Sequence, residues 1–189
     1  MKNVFLIHGS MGKPFENWFP WLEQELAKKD IICHIPTFPT PENQTYECWA
    51  KLLDYYVQVG LLNENTIVLG HSCGAVCMVK YLAERKLHVP AIISVSGYNG
   101  FISGNDFMDN LNSSFYFNDS AYAAVRNLAK TRISYIGEDD PFIPQSYLSE
   151  FATGLDSTII RVKNGGHFNL MAGYNSFDSI LEEILQIIE

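Results

Sequence analysis

A serine, a run of acids and a histidine stand in this chain in an order that suits nucleophilic attack on an acyl group. Ser72 lies in Gly70-His71-Ser72-Cys73-Gly74. That stretch follows the apolar run Thr66–Leu69 and opens a helical pattern over 75–84. Strand, sharp turn and helix is the setting in which G-x-S-x-G presents a strained serine hydroxyl above a sheet. The flanking glycines suit a turn too tight to accept Cβ atoms. A serine hydroxyl is a weak nucleophile at neutral pH, so it needs a base, and the base needs a third group to fix its tautomer. Glu138, Asp139 and Asp140 follow an expected strand, within Gly137-Glu138-Asp139-Asp140-Pro141-Phe142-Ile143-Pro144. His167 follows another, within Asn164-Gly165-Gly166-His167-Phe168, where paired glycines let the backbone bend the ring across a sheet edge. Taken singly, the acids read as a solvated turn and His167 as a structural histidine. In the order serine, acid, histidine they form a candidate triad.

Such chemistry also needs donors for the oxyanion. The backbone N–H of Cys73, directly after the nucleophile, is one. The second is expected from His8-Gly9-Ser10-Met11-Gly12, with Ser10 N–H the first choice and Met11 N–H the second. His8, His34, His71 and His88 read as structural or solvated, with His71 pointing away from Ser72. No histidine pair has metal-ligand spacing, and Cys73 and Cys77, four apart on one expected helix, read as packing rather than as a metal or redox pair. Gly9-Ser10-Met11-Gly12-Lys13 fails the phosphate-loop pattern, and no G-x-G-x-x-G is present, so no metal and no nucleotide cofactor is expected.

The elements that must position these groups alternate in type. Short, mostly apolar strands are expected at Asn3–Ile7, Ile31–Ile35, Thr66–Leu69, Ala91–Val95, Arg132–Ile136 and Thr158–Val162. Apolar stripes at helical spacing fall on Trp18, Trp21, Leu22 and Leu26, and on Trp49, Leu52, Leu53, Tyr56 and Val57. A last helix starts near Phe177 with Ser176 as its N-cap. Alternating strands and helices predict an α/β fold: a three-layer α/β/α sandwich around a mostly parallel sheet of about six strands. Residues 97–130 exceed what one crossover needs and carry Tyr98, Phe101, Phe107, Phe115, Tyr116, Phe117 and Tyr122. A lid or pocket wall is the expectation, and a helical insertion packed on the body is the other reading.

Bulk properties narrow the classes. A chain of 189 residues with 47% hydrophobic and 18% charged residues suits one globular domain, 1–189. The net charge of −8, without a basic cluster, argues against nucleic acid or an anionic membrane as partner. Val4–Ile7 is too short for a signal-peptide core, and Cys33, Cys48, Cys73 and Cys77 show neither disulfide-framework nor zinc spacing, so the expected setting is the cytoplasm.

These residues together resemble the α/β-hydrolase superfamily along nearly the whole chain. The segments Ile7-His8-Gly9-Ser10 and Asn17-Trp18-Phe19-Pro20-Trp21-Leu22 are similar to the retinoblastoma-binding protein 9 family of serine hydrolases with its bacterial YdeN-type members. The hydrolase pattern G-x-x-D-x-x-[IV]-P selects Asp140 over Asp139. The resemblance thus implies a triad of Ser72, Asp140 and His167, a compact hydrolase fold, and cofactor-free hydrolysis of a small ester or amide. The L-x-C-x-E segment that names the mammalian member's partner is a feature the chain lacks, so that role does not carry over. Hydrolysis of small acyl esters leads; a small peptidase or amidase, and a non-catalytic binding module on the same fold, are the alternatives.

Overall fold

The computed structural model describes residues 3–102, 104 and 106–189. Six strands, β1 (Asn3–Ile7), β2 (Cys33–His34), β3 (Thr66–His71), β4 (Val89–Val95), β5 (Ala129–Gly137) and β6 (Thr158–Val162), form one sheet in the order β2-β1-β3-β4-β5-β6. Every neighbouring pair is parallel. Seven helices connect and cover them: α1 (Phe19–Ala27), α2 (Tyr46–Gln58), α3 (Cys73–Arg85), α4 (Asp106–Asn112), α5 (Asp119–Leu128), α6 (Gln145–Gly154) and α7 (Asp178–Ile188).

Side chains alternate faces along a strand, and this sheet buries both. Val4 and Leu6 join Ile67, Leu69 and Ile93 in a core under α1 and α7, with Trp18, Leu22, Ile180 and Ile184. Phe5, Ile7, Val68 and Ile92 face the opposite core, with Trp49 and Leu53 of α2, Val76 and Val79 of α3, Val125 of α5 and Phe151 of α6. The near-continuous apolar character of the strands is the mark of that two-sided burial.

The chain steps outward from β1 to β2 and then returns to the other side of β1 as β3. The helix after β1 covers one face and the helix after β3 covers the other. Helices that leave neighbouring strands on opposite faces mark the carboxyl edge at which ligands bind in open α/β sheets.

Several boundaries differ from expectation. β2 shrinks to two residues, whereas β5 begins at Ala129, ahead of Arg132. Ser176 does not cap α7: the N-cap is Phe177, without a side-chain hydrogen bond. The entry to α7 is fixed by aromatic packing instead, with Phe177 stacked on Phe168 at 5.1 Å and edge-on to Trp18 at 5.4 Å. α6 carries no strong sequence signal; it is held by Leu148, Phe151 and Ala152 packing into the core.

The 97–130 segment contains α4, a 3-10 turn over Ser113–Phe115, and α5. Its aromatics divide in two. Phe115 is fully buried, with its ring 4.8 Å from that of Trp49, and Tyr98 and Tyr122 are buried too. Phe101 and Phe107 are 59% and 61% exposed. Phe115→Ala should therefore lower stability by about 3–5 kcal/mol, while Phe101→Ala and Phe107→Ala should each stay within about 0.5 kcal/mol. Urea unfolding monitored by circular dichroism reads this directly, and equal effects at the three sites would contradict it.

Candidate active site

β3 runs straight into α3 with a single residue, Ser72, at the turn. Its φ of 54° and ψ of −125° hold it in the left-handed region that side chains rarely occupy. The close approach that forces this turn excludes any side chain at the flanking glycines. A Cβ at Gly74 would lie 2.1 Å from the Ile7 carbonyl oxygen, and one at Gly70 would lie 2.4 Å from Ala75 Cα. Ser72 N–H donates to the Val95 carbonyl at 2.8 Å, which anchors the turn to the end of β4. Gly9 faces the serine so closely that a Cβ there would be 2.9 Å from Ser72 Cβ and 3.5 Å from Ser72 Oγ.

Asp140 and His167 meet at the same edge, from the loops after β5 and β6. His167 Nδ1 bonds Asp140 Oδ2 at 2.8 Å. An ionised carboxylate only accepts, so Nδ1 carries the hydrogen and Nε2 keeps its lone pair. Asp140 Oδ2 also accepts from Ser96 Oγ at 2.9 Å, and Oδ1 accepts from the N–H groups of Phe142 and Ile143 at 2.9 and 3.1 Å. Burial pushes the Asp140 carboxyl up, but the hydrogen bond and charge of His167 with these two N–H donors outweigh it, and the net shift is downward. Asp139 faces elsewhere: its Oδ1 accepts from Gly166 N–H at 2.9 Å and so ties down the glycine turn before His167. Ser72 and His167 share this edge without a hydrogen bond between them among the described residues, a looseness common in unliganded sites.

The remaining supports come from residues with no expected part in the site. His71 Nε2 donates to the His167 carbonyl at 2.8 Å. Trp18 Nε1 donates to the Phe168 carbonyl at 3.0 Å, and Asn17 Oδ1 accepts from Leu170 N–H at 3.0 Å, binding the histidine loop to the loop after β1. Ser96 is the one member with a readable signal, as the first residue beyond β4, at a φ of 49°. The ring of Phe142, half exposed, stands edge-on to that of His167 at 5.2 Å and makes the rim apolar.

The two expected oxyanion donors are chain neighbours of Ser72 and of Gly9, the residue packed against it. Cys73 N–H sits at the first turn of α3, where no carbonyl of the helix can reach it. Ser10 directly follows Gly9, the residue against Ser72, and its N–H has no hydrogen-bond partner among the described residues. Met11 N–H, the second choice, is taken by Thr40 Oγ1 at 2.8 Å.

The cysteines and His8 have packing and structural surroundings. Burial pushes the Cys73 thiol up to about 12 and the Cys77 thiol well above its ordinary value, which keeps both as inert thiols. All four cysteines are free, and no group of three or more His, Cys, Asp or Glu among the described residues could hold a metal ion. His8 accepts from Phe38 N–H through Nε2 at 3.0 Å, so its Nδ1 donates to the Gly9 carbonyl at 2.8 Å, a structural role. Surface cavities of 610 and 600 Å³ lie beside α5, and neither is lined by Ser72, Asp140 or His167.

A parallel sheet covered on both faces, with a serine elbow after β3 and an acid–histidine pair after β5 and β6, defines an α/β-hydrolase. The chain matches the Serine hydrolase family over residues 4–186 and belongs to that family. It is 27% identical to YdeN of Bacillus subtilis (strain 168) over 183 residues, covering 96% of this chain and 93% of that protein. It is 25% identical to the serine hydrolase RBBP9 of Rattus norvegicus over 153 residues, covering 80% of this chain and 77% of that one. The crystal structure of the B. subtilis ydeN gene product superposes with a TM-score of 0.90 at 26% identity, covering 100% of this chain and 99% of the other. The fold is also that of Est1E from Butyrivibrio proteoclasticus, at a TM-score of 0.73 and 16% identity, with 100% and 90% of the chains covered.

Two predictions rest on this packing. Gly74→Ala drives a methyl group into the Ile7 carbonyl, so it should cost roughly 2–4 kcal/mol of stability and abolish any activity that needs Ser72. Ordinary stability and activity in that variant would refute the close approach. The second concerns pH. Burial, followed by the charge of His167, lowers the pKa of His71 from 6.5 to about 3. Between these values the unfolded chain binds a proton at this site that the folded chain refuses, so stability rises with pH across the window and falls on acidification below 6.5. The lowered values of His8 and His34 act in the same direction. Between pH 6.5 and about 5, where carboxylates contribute little, the urea midpoint of His71→Gln should fall less steeply than that of the parent protein. Parallel slopes would show that His71 titrates normally.

Proposed function

We propose that the protein is a serine esterase acting on small acyl esters through Ser72, His167 and Asp140. The observation that carries the reading is the Asp140–His167 hydrogen bond formed at the same sheet edge as the strained Ser72 elbow. His167 Nε2 takes the Ser72 proton as Oγ attacks the acyl carbonyl. The N–H groups of Ser10 and Cys73 hold the oxyanion that results. Collapse of the intermediate breaks the bond to the alcohol, which leaves with the proton from His167, and the acyl group stays on Ser72. Water then attacks the acyl-enzyme with His167 again as base, releasing the acid and restoring Ser72. Asp140 holds the imidazole and stabilises its protonated form. The half-exposed Phe142 beside His167 supports an apolar acyl group, and the 97–130 segment supplies the wall on the Ser10 side through Asn112. The free cysteines fit a reducing compartment such as the cytoplasm.

A fluorophosphonate probe should label the parent protein at Ser72 and leave Ser72→Ala unlabelled. That variant should lose about 10⁴-fold or more in kcat on a p-nitrophenyl ester, and Asp140→Asn should lose about 10⁴-fold because the imidazole tautomer is no longer fixed. Esters should be turned over faster than matched aminoacyl anilides. The reverse preference would make the protein an amidase or peptidase, and a well-folded parent protein that resists the probe would make it a binding module.

A further inference from the structure

The loop that carries Ser10 is gripped by a polar cluster that the proposed chemistry does not use directly. Gln44, before α2, and Asn112, at the end of α4, are 4% and 1% exposed, values that amide side chains reach only when fully paired. Hydrogen bonds join the cluster continuously. Gln44 Nε2 spends both hydrogens, on Ser10 Oγ at 2.8 Å and on Asn112 Oδ1 at 2.7 Å. Ser10 Oγ donates its own hydrogen to Asn112 Oδ1 at 2.5 Å. Asn112 Nδ2 donates to the Tyr98 hydroxyl at 2.8 Å. Thr40 Oγ1 donates to Gln44 Oε1 and accepts from Met11 N–H at 2.8 Å. The cluster thus begins on the backbone of Met11 and ends on the side chain of Ser10.

Met11 itself sits at a φ of 60°, a conformation that costs free energy unless something holds it. The cluster supplies the hold. It also consumes Met11 N–H, while Ser10 N–H, directly after Gly9, has no partner among the described residues. Ser10 and Met11 are held by two distant segments, 40–44 and Asn112, so the hold is a tertiary device and not a local turn.

We propose that Gln44 and Asn112 are positioning residues that lock the Ser10–Met11 loop with Ser10 N–H aimed at the oxyanion, so that the 97–130 segment, through Asn112, completes the oxyanion hole. This inference rests on the esterase reading and deepens it. An oxyanion donor contributes only when charge develops, so releasing the loop slows the chemical step and leaves ground-state binding almost unchanged.

The test compares Gln44→Leu, Asn112→Leu, Ser10→Ala and Ser10→Thr with the parent protein on a p-nitrophenyl ester. Because misplacing a catalytic group by about 1 Å costs on the order of 10²-fold, the two leucine variants should lose about 10- to 100-fold in kcat with KM within about twofold. Ser10→Ala removes one hydroxyl from a partly exposed position and leaves the Gln44–Asn112 bond in place. It carries the test should a leucine variant fail to fold, and it should lose about 10-fold in kcat, with Ser10→Thr recovering most of that loss. Affinity for a short alkyl boronic acid, whose tetrahedral adduct places an anionic oxygen at the hole, should fall in step with kcat/KM. A kcat within about twofold of the parent protein in folded variants, a loss confined to KM, or Ser10→Thr as slow as Ser10→Ala overturns the proposal. A parent protein that neither labels with fluorophosphonate nor cleaves ester overturns the esterase reading and this inference together, whereas an active parent with equally active variants overturns this inference alone.

Discussion

Everything at the carboxyl edge of this sheet depends on how closely the start of α3 approaches the end of β1. The first turn of the helix rests on the Ile7 and His8 carbonyls at a separation that only Gly74 permits. That approach fixes where α3 begins and forces Ser72 into its left-handed conformation. It also brings Gly9 against the Ser72 side chain, which fixes where the loop after β1 starts. One backbone contact between two parallel strands' connections thereby sets both the serine and the residue that faces it. Larger side chains would separate the two loops by more than an ångström, a distance on which hydrogen-bond strength depends steeply.

The histidine is held by a different strategy. No single contact dominates; its ring nitrogen, its carbonyl and the turn before it are each bonded by a separate group, Asp140, His71 and Asp139. Asp140 is in turn bonded by Ser96 and two backbone N–H groups. Adjacent acids in one turn therefore do separate jobs, one orienting the imidazole and the other orienting the peptide that carries it. The buried, neutral His71 belongs to the same scheme. A charge there would stand beside the His167 ring, whose centroid is 5.0 Å away, and would oppose its protonation.

Much of this was legible in the sequence because its physical basis is local. Strands covered on both faces read as apolar runs, and glycines around Ser72 and before His167 announce turns that side chains cannot make. Parallel pairing follows from the alternation of strands and helices, whereas the strand order does not. What could not be read arises from tertiary packing. α6 lacks a strong local pattern and is defined by what it covers. Ser176 has the right chemistry for an N-cap, yet stacked aromatic rings around Phe177 decide where α7 begins. The aromatics of 97–130 look alike in sequence, but Phe115 lies inside the body and Phe101 outside it. Gln44 and Asn112 are ordinary loop and helix-end amides until the fold brings them within reach of Ser10.

The placement of Ser72 and His167 within the sheet is unequal. Ser72 follows β3, which is flanked on both sides by other strands, whereas His167 follows β6, the outermost strand, paired only with β5 and largely open to solvent. Edge strands fray at a lower free-energy cost than central ones. The proposed nucleophile and its proposed base therefore belong to regions of different local stability. Were β6 to fray, the bonds from His71, Trp18 and Asn17 would be what keeps the His167 loop in place, while the Ser72 turn kept a strand on either side of β3.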